Sequence, residues 1–180
     1  MNQTRKYLGR PRVTFSGIGY KFVVTSVALC AAILFGADAR AQGGPPPYGE
    51  AINIETAKKA AAAAVAESKK NNWAMCVAVV APSGDLVYFE RMDNCQYGSI
   101  GISQRKATAA AVFRRPTKAF EERVASGPAG AAVMSLGGVV ASEGGIPIVI
   151  GGKLVGAIGC SGATGQQDGQ ACQAGVNAVK

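Results

Sequence analysis

Histidine is absent from all 180 residues. Without it neither a Ser-His-Asp nor a Cys-His catalytic arrangement can be assembled, and the commonest protein ligand of transition metals is missing. Acidic residues are also few, 11 against 19 basic ones. Asp85, Glu90, Asp93, Glu121, Glu122, Glu143 and Asp168 are scattered, so the sequence presents no obvious carboxylate pair for general acid–base work. CxxC spacing is lacking, which argues against a zinc site. Gly151-Gly152-Lys153-Leu154 has neither the upstream glycine nor the hydroxyl residue of a P-loop, and no GxGxxG occurs. The 24 glycines read instead as turns and close helix contacts.

What is present begins with a leader. Arg5, Lys6, Arg10, Arg12 and Lys21 precede an uncharged apolar run over 22–35, which is too short to span a bilayer comfortably, and a small-residue site follows at Ala37-Asp38-Ala39-Arg40-Ala41. The pattern predicts a signal peptide over 1–41, cut before Gln42, and a periplasmic or secreted protein with no stable membrane insertion after cleavage. Cys30 lies inside the apolar run behind the bulky Leu29, so it does not mark a lipoprotein. Removing the leader leaves 13 basic and 10 acidic residues, a net charge of +3. Most of the excess positive charge is therefore a targeting signal, and nucleic acid is not an expected partner. Residues 42–50, with Pro45, Pro46 and Pro47 in a row, predict an extended linker. Residues 51–180 remain for one domain with its own core.

Four cysteines, Cys76, Cys95, Cys160 and Cys172, survive cleavage, and an even count in an exported chain favours disulfides. Three connectivities are possible. The sequence-local one, Cys76 with Cys95 and Cys160 with Cys172, is preferred because each bridge would tie a strand to a neighbouring segment.

Asn53 can cap a helix over 54–70, with Ile54, Ala57, Ala61, Val65 and Ser68 on one stripe. Alanines at 60–64 suit close packing on a sheet. Residues 73–80 and 86–92 read as two strands joined by Pro82-Ser83-Gly84-Asp85, and 146–150 and 153–160 as a second hairpin turning on Gly151-Gly152. The strand over 73–80 is apolar on both faces, so both must be covered. Helical patterns over 99–113 and 117–125 are separated by Arg114-Arg115-Pro116, 127–130 is a loop, and a last helix covers about 164–179. The order predicts an α/β (α+β) single domain, an antiparallel sheet with helices on both faces. Its alanine-rich helices look too small to shield the sheet alone, which predicts a homo-oligomer.

Six basic residues, Arg105, Lys106, Arg114, Arg115, Lys118 and Arg123, fall within 19 positions straddling Pro116. Thr117 opens a helix beside them, and a helix N-terminus near arginines suits a carboxylate or phosphate.

The segments Phe89-Glu90-Arg91-Met92-Asp93, Lys106-Ala107-Thr108-Ala109-Ala110, Phe113-Arg114-Arg115-Pro116-Thr117, Glu143-Gly144-Gly145-Ile146-Pro147-Ile148, Gly156-Ala157-Ile158-Gly159-Cys160-Ser161-Gly162 and Gln167-Asp168 resemble, in order, the GlcG/HbpS family of small haem-binding proteins. That resemblance implies a profilin-like fold, higher homo-oligomers, and haem or a related anionic tetrapyrrole as the small-molecule ligand. On this reading Met92, Tyr97 or a reduced cysteine could ligate iron, and Thr117 with Arg114 and Arg115 could hold propionates. Two other readings are a non-catalytic assembly subunit and an enzyme acting on a small acid through Arg115, Glu143 and Asp168.

Overall fold

The computed structural model describes residues 44–180; the leader and its cleavage site lie outside them. Helix α1, Ile54–Lys70, starts where Asn53 accepts a hydrogen bond from the Thr56 amide at 2.8 Å. Its buried stripe is Ala57, Ala60, Ala61, Ala64, Val65 and Ser68, whereas Ile54 is exposed. Strand β1, Cys76–Val80, is shorter than the apolar run predicted. Asn72 takes a positive φ of 60° and the Trp73 amide bonds back to the Ser68 carbonyl, so the first residues of that run leave the helix instead of entering the sheet. Strand β2, Leu86–Arg91, then pairs antiparallel with β1.

Helix α2, Tyr97–Val112, and helix α3, Lys118–Ala125, flank the break at Pro116. A short helix α4, Pro128–Ala131, stands where the sequence predicts a loop over 127–130, and a 3-10 turn, Ala132–Ser135, follows it. The second hairpin is β3, Gly145–Ile150, and β4, Lys153–Ser161, turning on Gly151 and Gly152 with φ of 56° and 77°. Helix α5, Gly165–Asn177, closes the chain behind a capping box in which Thr164 and Gln167 satisfy each other's amides.

The four strands lie in the order β2-β1-β4-β3, all antiparallel. On one face Val77, Val79, Ile148, Ile158 and Cys160 meet α1 and α5. On the other, Ala78, Val80 and Ala157 meet Ala107, Ala110 and Ala111 of α2. All five residues of β1 are buried within one chain. The expectation that alanine helices leave this strand bare is therefore corrected: small side chains let the helices approach the sheet closely enough to seal it. The approach is tightest at Gly159, where a Cβ would collide with the Ser103 carbonyl of α2. Along the free part of β4, the last linker residues add to the ladder. Leu154 donates to the Pro47 carbonyl at 2.8 Å, and Gly49 donates back to Leu154 at 2.7 Å.

Candidate functional site

Consecutive side chains on a helix point about 100° apart, so Arg105 and Lys106 of α2 have opposite fates. Lys106 turns inward among Ser103, Ala107 and Ala110 and is 1 % exposed. Its ammonium lies 2.7 Å from Asp168 Oδ2 on α5 and donates to the Glu143 carbonyl at 2.6 Å. Asp168 Oδ1 also accepts from the Ala163 amide at 3.1 Å. Burial pushes the Asp168 carboxyl above its ordinary range, and the Lys106 charge and these hydrogen bonds pull against that shift. Glu143 extends the network: its carboxylate meets Lys118 at 3.1 Å and its amide donates to Glu121 at 2.6 Å. The loop before β3 is thus tied to α2, α3 and α5 at once.

Arg105 points outward. Together with Ile102, Gln104 and Thr108 of α2 it forms one wall of a groove whose other wall is Met134 and residues 138–142. Two adjoining cavities, about 410 and 330 Å³, share Arg105, Val139 and Val140, and these volumes suit a small ligand. The lining is mainly apolar, and Arg105 is its one cation. Among the described residues no carboxylate lies within ion-pair distance of that guanidinium. Because Ser142 borders Glu143, the buried network holds one end of the groove.

The residues the sequence put forward are not brought together. Met92 and Tyr97 lie by the start of α2, and Arg114, Arg115 and Thr117 lie past its end, roughly 24 Å along a helix of 16 residues. Met92 Sδ accepts from the Met75 amide at 3.5 Å. Tyr97 is 79 % exposed, with the Arg91 guanidinium 4.9 Å above its ring. Arg114 adopts a φ of 52°, the left-handed conformation at a helix end that glycine usually supplies. Its guanidinium sits 5.1 Å over the Tyr48 ring and donates to the Pro46 carbonyl, while Tyr48 Oη donates to the Val112 carbonyl at 2.9 Å. Arg114 thus fastens the linker to the end of α2. Arg115 donates to the Phe113 carbonyl and lies over Phe120. Thr117 is fully buried; it exchanges two hydrogen bonds with Gly145, its amide donating to the Gly145 carbonyl and its hydroxyl accepting from the Gly145 amide at 2.9 Å. It covers the edge of β3 and presents nothing to a ligand.

A reduced cysteine is not offered either. Cys76 pairs with Cys95 and Cys160 with Cys172, with Cα separations of 6.1 and 5.7 Å. Nor do Arg115, Glu143 and Asp168 compose an acid-binding site, because Glu143 and Asp168 are engaged with lysines. What the sequence missed is the groove. Its only local signal is the contrast between an outward Arg105 and a lysine set in a stripe of alanine and serine.

The family model described as "Haem degrading protein HbpS-like" matches residues 52–177. Protein GlcG of Escherichia coli K12 is 41 % identical over 110 residues, covering 61 % of this chain and 81 % of that protein. Among solved structures, a double mutant of HbpS from Streptomyces reticuli superposes with a TM-score of 0.68 at 30 % identity, covering 80 % of this chain and 97 % of the other. The haem complex of PduOC shares the fold, with a TM-score of 0.65 at 23 % identity, over 72 % of this chain and 96 % of the other.

Proposed function

This chain belongs to the HbpS-like family, and on that premise we propose that it is an exported binding protein for haem or a related anionic tetrapyrrole, held in the groove beside α2. The observation that carries the reading is the pairing of apolar walls with a solvent-facing guanidinium that has no described partner. A tetrapyrrole is broad, apolar and edged by carboxylates. Ile102, Val139 and Val140 would take its face and Arg105 a carboxylate, with Gln104, Thr108 and Ser142 as further polar partners. Bound haem would supply an iron centre to the groove; the chain's own part is to exclude water from one face and to fix the orientation through Arg105. The roles expected of Thr117, Arg114 and Arg115 pass to Arg105, since the first three already have partners within the fold.

Haem titrated into the chain beginning at Gln42 should give a saturable Soret change near equimolar ratio. Arg105→Glu reverses the charge facing the ligand and should weaken binding by roughly tenfold or more, since charge-assisted hydrogen bonds contribute about 1.5–3 kcal/mol. A spectrum indistinguishable from free haemin sinks the proposal. Export rests on the leader pattern and is supported by two disulfides, which persist in oxidising compartments.

Assembly into a homo-oligomer is part of the same proposal. The sheet itself does not require it, but Leu136, two residues past the groove wall, is 52 % exposed, and Leu86 at the free edge of β2 is 51 % exposed. Light scattering at micromolar protein should report a closed multiple of the subunit mass; a mass near one subunit rejects it.

A further inference from the structure

We propose that Met134 is the residue that ligates the iron when haem occupies the groove, an inference that rests on the haem-binding reading of that groove. The case starts from donor chemistry. Haem iron in proteins is taken by imidazole, thiolate, thioether or phenolate. Imidazole is absent from the chain. All four cysteines of the described domain are joined in two disulfides, so none offers a thiolate.

Of the tyrosines in the described residues, Tyr48 is bonded to the Val112 carbonyl beneath Arg114. Tyr88 bonds to Glu90, and burial raises its pKa, which disfavours phenolate. Tyr97 opens α2, lines neither cavity and carries the Arg91 guanidinium over its ring. Three methionines lie within these residues. Met75 is fully buried in the core, and the sulfur of Met92 accepts from the Met75 amide. Met134 alone is half exposed and lines the same cavity as Arg105. Thioether and guanidinium therefore face one ligand space, suited to iron and to a carboxylate edge respectively.

A thioether is a soft donor and favours ferrous over ferric iron. The wild-type chain should therefore bind ferrous haem more tightly than ferric haem, and the visible spectrum of the bound ferrous form should depend on the donor at residue 134. Met134→Leu keeps the apolar wall and Arg105. It should still take up haem, change the ferrous visible spectrum, lower the reduction potential of the bound haem, and lose roughly tenfold or more in ferrous affinity, a size seen even for outer partners of metal sites. Met134→His tests the same position by gain: a stronger donor at the iron should raise affinity and shift the Soret maximum away from the wild-type value. An unchanged ferrous spectrum and potential in Met134→Leu, or a Met134→His chain that binds as wild type does, overturns the assignment while leaving haem binding intact. Failure of the wild-type chain to bind haem removes both.

Discussion

Lys106→Met should cost about 3–5 kcal/mol of folding stability near neutral pH, the range expected when one partner of a buried ion pair is removed. The side chains of Lys106 and Asp168 are 2 % and 3 % exposed and 2.7 Å apart, so the substitution strands a carboxylate in the interior and also frees the Glu143 carbonyl. The cost should depend on pH with a definite sign. Burial already lifts the Asp168 carboxyl above its ordinary value of 3.8, and the lysine holds it down. Without the lysine the folded-state pKa climbs further. A carboxyl whose pKa is higher folded than unfolded stabilises the fold when protonated, and that contribution is lost as pH rises from 3.8 through the raised value. The Lys106→Met deficit should thus be full near neutrality and shrink on acidification. Adding Asp168→Asn removes the stranded charge yet keeps an acceptor for the Ala163 amide. The double variant should recover part of the loss near neutrality, and its deficit should no longer shrink on acidification, because residue 168 no longer titrates. Urea unfolding of the three chains across this range decides it; a deficit flat in pH, or none, contradicts the buried-pair account. Because the same network holds the loop at residues 142–145, haem affinity should fall with Lys106→Met as well.

Local signals carried much of the architecture. Asn53 with an apolar stripe placed α1 at its observed bounds, and Gly151-Gly152 between two apolar runs placed the second hairpin. The sequence-local disulfides follow from the same local logic, since each bridge ties a strand to a segment only 19 or 12 residues further along the chain. What stayed hidden was what depends on distance in space. Lys106 and Asp168 are 62 residues apart, and a lysine in a basic cluster reads as solvated until a carboxylate from another helix is set opposite it. The arginine-rich turn looked like an anion site, but Arg114 fastens Tyr48 and Thr117 seals the edge of β3, and both partners come from segments remote in sequence. Residues 132–142 carry no strong periodicity, so the wall they form against α2 was not legible, and Met134 and Val139 read as generic apolar positions.

Reducing both disulfides should remove a large part of the stability of the domain. The bridges join residues 19 and 12 apart, and closing loops of that length stabilises by about 3 kcal/mol each in the chain-entropy model. Their sum, roughly 6 kcal/mol, is set against a total of about 5–15 kcal/mol for a typical domain. The placement of the bridges sharpens the expectation. Cys76–Cys95 ties the central strand β1 to the segment that enters α2, and Cys160–Cys172 ties β4 to α5, the helix that carries Asp168. Losing the second bridge frees α5 to withdraw the partner of Lys106, so Cys160→Ala/Cys172→Ala should be the more damaging pair and should couple non-additively to Lys106→Met. All four cysteines are at most 2 % exposed. Reductant therefore reaches them through opened states, and reduction should be slow in buffer and fast in urea. The chain from Gln42 onward, which omits Cys30, sent to a host periplasm behind a separate export leader, should yield no alkylated cysteine after denaturation without reductant. After reduction it should yield four, with the melting temperature markedly lowered. Four modifiable thiols before reduction would reject both bridges, and with them the support that the disulfides lend to export.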